Sequence, residues 1–380
     1  MHSAADVALA AVERAGLTDL YAKTFDGARL GREDGLRLMA CPDLAAVGTV
    51  ANAARERLNG DQTYYILNRH VNYTNVCNKG CRFCYFARNP KDGGPTPYLL
   101  TADDVYAALT ARPDERLSEI HMVGGIDPRL PLEYYIDLLR AAKRARPEAC
   151  VKAFTAVEID QIARVADRPV PETLELLMEA GLGAVPGGGA EVLSDRVHGL
   201  LHPNKLTPSQ WIDISRHVAA AGLPQYATML FGHVETPEER VDHLLALRAL
   251  QDETGHLLAL TPLAFHPEGT YLSHLAAPTG IDDLRMAAVS RALLDNLAHI
   301  KSFWVMSTVQ VSQISLWYGA DDIDGTVQEY EITFPEGRLG QTSQSLSRLE
   351  LEALITEAGR VPVERDTLYR PVAPAEAWHG

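Results

Sequence analysis

At 380 residues, with 46% hydrophobic and 22% charged residues, the chain suits one large α/β barrel or two to three ordinary domains with a substantial core. Its formal charge of −15 works against binding a phosphate backbone, which needs clustered Lys and Arg, so no nucleic-acid partner is expected. No run approaches the ~18–20 apolar residues of a membrane span, and three of the five cysteines cluster instead of forming a disulfide framework, which points to a reducing cytoplasm.

The opening MHSAADVALAAVERAGLTD has no basic n-region and carries Asp6 and Glu13, so it reads as a short amphipathic helix and not as a signal peptide. Residues 1–60 form a helical preface. From there, short β-rich runs alternate with helical ones. The predicted strands are 64–73, 119–125, 151–157, 181–188, 225–232, 257–265, 302–308 and, more weakly marked, 320–326. Between them, TADDVYAALTAR opens with Thr101 as N-cap, and PLEYYIDLLRAAKRARP has helical apolar spacing with Pro at its start. TPSQWIDISRHVAAAG stops at Gly222, and TPEERVDHLLALRALQDETG repeats the pattern. SRLELEALITEAGR forms a helix near the end.

Regular β-then-α alternation implies a parallel sheet with helices outside it, and roughly eight units over about 265 residues favour a closed (β/α)8 barrel. The expected organisation is an N-terminal helical extension over 1–60, a barrel core over 61–326 and a C-terminal helical extension over 327–380 packed on the barrel. Active sites in such barrels lie at the C-terminal ends of the strands. The unusual polar segments fall there: the cysteine loop after strand one, Gly124-Gly125-Ile126-Asp127 after strand two, Glu158 after strand three, PGGGAE after strand four, FGHVE after strand five and FHPEGT after strand six.

VCNKGCRFCYF, residues 76–86, holds Cys77, Cys81 and Cys84 in C-x3-C-x2-C spacing. Three thiolates can ligate zinc or an iron–sulfur cluster. Structural zinc normally takes four ligands, and the candidates for a fourth (Cys41, Cys150 or a histidine) are distant in sequence. Cys41 and Cys150 stand alone and read as small core residues. A [4Fe–4S] cluster usually has four Cys ligands. Held by three, it leaves one iron open to a small chelator with an amine and a carboxylate.

The spacing, with Phe83 just before the last cysteine, resembles the signature loop of the radical S-adenosylmethionine (SAM) enzymes. That resemblance implies a [4Fe–4S] cluster on Cys77, Cys81 and Cys84. It further implies that SAM, given one electron by such a cluster, would break at its C–S bond to methionine and a deoxyadenosyl radical. Gly124-Gly125 is similar to the paired glycines that meet the methionyl amine. ATMLFGHVE is similar to the adenine-contacting segment through Leu230, Gly232 and Glu235, with Thr228 in place of its first glycine. Glu158 and Glu191 can each accept the ribose hydroxyls, or each can be a first-turn carboxylate favoured by a helix dipole. Lys205 can pair with the carboxylate of SAM or lie on the surface.

NYTNVCNKGCRFC, HMVGGIDPRLPLEYY, KAFTAVEI, PGGGAE, ATMLFGH, FHPEGT, GADDIDGTV and AGRVPVERDTLY follow one another from 72 to 369. In that order they resemble the aminofutalosine synthases of the futalosine route to menaquinone. Futalosine cyclases and deazaflavin (F0) synthases are close relatives. KAFTAVE favours the first group, because the cyclases resemble HAFSPPE at that place. The resemblance implies addition of the deoxyadenosyl radical to the vinyl bond of 3-[(1-carboxyvinyl)oxy]benzoate, then rearrangement and decarboxylation to aminofutalosine. It also implies that SAM is consumed as co-substrate, and an electron donor such as flavodoxin or ferredoxin. Candidate substrate donors are Asn72, Tyr73, His233, His266, Thr270 and Gln310, and candidate apolar walls are Phe154, Phe265 and Trp304. Two places depart from the family pattern: Tyr85, where relatives carry a small residue, and the segment 328–341.

Overall fold

The computed structural model describes residues 4–87, 96–329 and 345–372. Of the divergent segment 328–341, residues 330–341 lie outside this set.

Four helices, Ala4–Arg14, Thr18–Phe25, Arg32–Ala40 and Leu44–Asn59, form the N-terminal preface. Among the described residues ten strands follow: β1 (Gln62–Ile66), β2 (Asn68–Asn72), β3 (Glu119–Val123), β4 (Cys150–Ala153), β5 (Leu182–Ala184), β6 (Gln225–Phe231), β7 (Leu257–Ala264), β8 (His299–Ile300), β9 (Asp322–Gly325) and β10 (Val361–Glu364). β2 to β5 pair in order, as do β6 to β8. Parallel bridges join Val185 to Gln225, Lys301 to Asp322 and Arg69 to Gln328. These bridges carry the sheet from β5 to β6, from β8 to β9, and from the end of β9 back to β2. The eight parallel strands β2–β9 thus close into the barrel that the β/α alternation implies.

Threonine caps set the connecting helices. The Oγ1 atoms of Thr101, Thr207 and Thr236 accept the N–H three residues on, in capping boxes closed by Asp104, Gln210 and Glu239. Gly255 ends the longest helix, Pro237–Thr254, at φ 66°, a left-handed conformation open to glycine.

Three elements differ from expectation. The predicted strand 64–73 is interrupted at Leu67, whose carbonyl accepts from both Ser118 and Glu119 N–H. Predicted strand 302–308 is largely a short helix, Trp304–Ser307; the strand, His299–Ile300, ends just before it. The β-rich composition of SFWVMST serves packing instead, with Trp304 buried and its indole N–H on the Gly325 carbonyl at 3.0 Å. The C-terminal extension is also not purely helical. After the helix Arg348–Glu357, β10 pairs in parallel with β1 and covers an edge that β3 does not reach.

The residues after β10 close the N-terminal end of the barrel. Arg365 Nε lies 2.6 Å from Asp322 Oδ2, both fully buried. The Tyr369 ring stacks on His299 at 3.6 Å, and Tyr226 donates to the Thr367 carbonyl at 2.5 Å. With that end plugged, the strand C-terminal ends are the open mouth.

Candidate active site

The cysteine loop is held at the mouth by its neighbours. Gly125 N–H donates to Thr74 O at 2.7 Å, and Asn78 N–H to Ile126 O at 2.9 Å. A Cβ on Gly125 would stand 2.2 Å from Val76 O, so only glycine lets the turn after β3 lie this close to the root of the loop. Arg82 bridges two other segments: its N–H donates to Leu201 O at 2.9 Å and its carbonyl accepts from Tyr271 at 3.1 Å. The Ala87 N–H points at Cys84 Sγ, 3.3 Å away.

Cys77, Cys81 and Cys84 open on one cavity of about 270 Å³. Burial pushes the Cys81 thiol up to about 12 and also raises Cys84. Such thiols ionise when a metal cation displaces the proton from sulfur. Among the described residues, no group of three or more His, Cys, Asp or Glu gathers around a single-ion position. Cys41 is buried at the end of the preface helix Arg32–Ala40, and the Cys150 Sγ packs against Gly183, so neither offers the fourth ligand of a zinc site. Three soft thiols spread along one wall, with a backbone amide on a sulfur, fit a three-cysteine [4Fe–4S] cluster better than a closed zinc site.

Across from the loop, Lys205 Nζ lies 2.5 Å from Glu191 Oε1 and 5.5 Å from the centre of the Phe83 ring. Burial alone would depress the ammonium, but Glu191 and the Cys81 sulfur outweigh it and hold Lys205 above its ordinary range. Burial likewise opposes ionisation of Glu191, and Lys205 with His202 overcomes it and lowers the carboxyl. Glu191 is held at φ 48°, a left-handed conformation rare for a non-glycine residue and concentrated at functional sites. Its carbonyl accepts Leu230 N–H at 2.9 Å, which ties the PGGGAE segment to β6.

Glu158 is committed elsewhere. Oε1 accepts from Tyr73 Oη at 2.6 Å and Gly124 N–H at 3.0 Å; Oε2 accepts from Thr155 N–H and Oγ1, each at 2.7 Å. Four donors fill a carboxylate, so Glu158 is a capping residue that braces the glycine turn, although it lines the cavity. Burial raises its pKa.

The predicted residues separate by position. Phe83, Gly124, Gly125, Glu191, Lys205, Leu230, Phe265 and His266 line the cavity with the cysteines and Glu158. The others are not among its lining residues. Tyr73 is fully buried behind Glu158, and Asn72 Nδ2 bonds Val123 O at 3.1 Å. Gly232 and His233 donate their N–H groups to Glu235, which organises the turn after β6. Thr270 closes its own turn onto Pro267 O, and Gln310 is exposed. Phe154 packs in the core against Tyr73 and Tyr135, as Trp304 does near β9. The walls also include Val123, Val157, Leu263 and Met306, apolar residues that a sequence does not distinguish from core, and Glu268. Tyr85 lines the cavity too, with its ring against Gly269.

The described residues contain no helix long and apolar enough to cross a membrane. The Radical SAM superfamily model matches residues 71–247, and the CofH/MqnC C-terminal region model matches 254–377. The chain is 43% identical to aminodeoxyfutalosine synthase of Thermus thermophilus, over 94% of this chain and 96% of the relative. It is 41% identical to that of Streptomyces coelicolor, over 92% of each. A 5-amino-6-(D-ribitylamino)uracil–L-tyrosine 4-hydroxyphenyl transferase of Methanosarcina barkeri is 36% identical over 93% of each. In structure, methylornithine synthase superposes with TM-score 0.70 at 16% identity, covering 90% of this chain and 97% of that one, and so shares the fold. The cysteine loop at the mouth of a parallel barrel, both family models and full-length identity above 40% place the chain in the radical SAM superfamily, among the carbon–carbon bond-forming enzymes of the aminodeoxyfutalosine synthase family.

Proposed function

We propose that this chain joins the 5′-deoxyadenosyl group of SAM to the vinyl carbon of 3-[(1-carboxyvinyl)oxy]benzoate, with rearrangement and loss of a carboxylate, to give aminofutalosine for menaquinone biosynthesis. The observation that carries the reading is the 43% identity over nearly the whole length of a relative with the corresponding name. The cavity is consistent with it. Val123, Leu230, Leu263, Phe265 and Met306 give apolar walls suited to an aromatic substrate.

In this reading Cys77, Cys81 and Cys84 hold the [4Fe–4S] cluster, and Phe83 packs beside it. When bound, the cluster supplies the electron that cleaves the C–S bond of SAM. Gly124 and Gly125 offer backbone close to the methionyl end. Lys205 takes the carboxylate of SAM and Glu191 the ribose hydroxyls, and Leu230 at the end of β6 packs against the adenine. Glu158 supports the site from behind. The apolar walls exclude water and hold the vinyl carbon in contact with the adenosyl carbon. His266 donates its Nε2–H to Met306 O at 2.9 Å, which fixes the imidazole in the wall beside the FHPEGT turn, where the enol end of the substrate would lie. The electron donor is a small redox protein such as flavodoxin or ferredoxin, the compartment is the cytoplasm, and nucleic acid has no part.

A second reading is favoured by the 36% identity to the Methanosarcina transferase: an F0-type or futalosine-cyclase reaction, in which the radical abstracts hydrogen. Anaerobic reconstitution with iron and sulfide, then SAM, reductant and the enolpyruvyl benzoate, separates them. An adenosyl-containing adduct with stoichiometric methionine is expected. Free deoxyadenosine without adduct under every condition would overturn the proposal, and one zinc per chain without a chromophore would overturn both readings.

A further inference from the structure

The barrel below the cavity is not solid. In β3 the only residue not fully buried is His121, and in β6 it is Thr228; each lies in the middle of its strand. The His121 side chain keeps 21% exposure although it points into the barrel. Exposure on two strands well apart around the barrel marks an internal chamber.

Strand alternation locates it. Val123, Leu230 and Leu263 line the cavity. His121, Thr228 and Thr261 are the residues two before them, on the same faces of β3, β6 and β7, and so lie one step deeper, about 6.6 Å. Register agrees: His70, His121 and Lys152 are in line across β2–β4, and Thr228 and Thr261 across β6–β7. An apolar collar therefore stands over a polar floor.

The charges of the floor are already matched. Lys152 Nζ lies 2.5 Å from Glu119, and Lys301 Nζ 3.4 Å from Asp324. Thr228 Oγ1 donates to Gly187 O at 2.9 Å. His121 has no hydrogen bond to its ring among the described residues; its nearest ionic neighbour, Glu119, is 4.0 Å away, and its ring plane is fixed by stacking on His70 at 4.6 Å. Burial, with Lys152, His70 and Lys301 nearby, holds the imidazole neutral, so it keeps one N–H to donate.

We propose that this floor is the seat of the ring carboxylate of the aromatic substrate, read by the His121 N–H and the Thr261 hydroxyl, while the collar grips the ring. The proposal rests on the enolpyruvyl benzoate reading. It makes His121 a specificity residue that requires an acidic aryl group.

The test is calorimetric binding of the enolpyruvyl benzoate, and of its ring methyl ester, to the reconstituted enzyme with SAM and no reductant. The wild type should prefer the free acid by ~10–100-fold, the worth of a hydrogen bond to a charged group, and His121→Leu should bring the preference to within ~3-fold. His121→Gln, which keeps an N–H, should retain most of it. Thr261→Val, which leaves His121 in place, should lower it by ~3–10-fold and serves if the leucine variant does not fold. An unchanged preference in folded His121→Leu or in Thr261→Val overturns the proposal. If the wild type neither binds nor converts the free acid, the substrate reading itself falls; if it converts the acid and the variants keep the preference, only the assignment of the floor falls.

Discussion

Lys205 and Glu191 form a 2.5 Å ion pair across the cavity from the cysteine loop, with only 8% and 13% of their side chains exposed. The pair is held from both sides. Glu191 sits at φ 48° and is tied through its carbonyl to β6, and Lys205 lies over the Phe83 ring. Strain, burial and pairing at one point of the cavity wall match a ligand-binding pair better than a surface ion pair.

Removing one partner leaves the other charged and buried, so Lys205→Met should cost about 3–5 kcal/mol of stability. Lys205→Met with Glu191→Gln should recover much of that loss. SAM affinity of the reconstituted protein should fall in both variants. Melting curves and SAM calorimetry check this; full SAM affinity in the double variant would make the pair purely structural.

Gly125→Ala should loosen the cysteine loop, because its Cβ meets a backbone carbonyl that cannot step aside, a misfit of about 1–3 kcal/mol. Iron per chain after reconstitution should fall with it. Gly199→Ala is the control: a Cβ there meets nothing within 4 Å, and alanine in the helix Asp195–Leu201 should be neutral or stabilising by up to ~1 kcal/mol. Equal iron content in both variants would contradict the clamp at Gly125.

His243 lies fully buried on the helix Pro237–Thr254, and its Nδ1 accepts Leu193 N–H at 3.0 Å, next to the segment that carries Glu191. Burial depresses the imidazole to about 3 from 6.5. Below pH 6.5 the unfolded chain takes a proton that the native one refuses until about 3. Stability is therefore complete above that window and is lost as the pH falls through it, by about 2 kcal/mol at pH 5. His243→Asn keeps an acceptor for Leu193 and should remove that slope. Denaturant titrations at pH 7.5 and pH 5 compare the two; an equal loss in wild type and variant would contradict the assignment.

How much of this was legible in the sequence follows from how local each signal is. The cysteine spacing, the glycine pair and the threonine caps are short-range patterns, and they stand where expected. Their place in the chain puts Tyr73, Thr270 and Gln310 among the expected mouth donors, but side-chain direction and turn closure decide what a strand-end residue faces. Tyr73 turns inward onto Glu158, and Thr270 closes its own loop. The run 302–308 has strand composition but spends its bulk on packing at a turn. β10 was missed because its partner edge on β1 exists only after the barrel closes. Leu263 and Met306 were missed because an apolar cavity wall and an apolar core have one composition. His121 carried a usable signal: alternation from Val123 puts it on the inner face.

Cys84→Ala should lose both cluster absorbance and turnover, since the remaining two thiols do not hold a cluster that ordinarily takes three or four. Iron and sulfide analysis after anaerobic purification checks it; a full complement of iron in the variant would contradict the assigned ligands.

The most direct test of the account is turnover with SAM labelled with carbon-13 at the 5′ carbon of its adenosyl group. The label should appear in the enolpyruvyl benzoate adduct, covalently bound, in proportion to the methionine released. Label found entirely in free 5′-deoxyadenosine, with methionine formed and no labelled adduct, would contradict it.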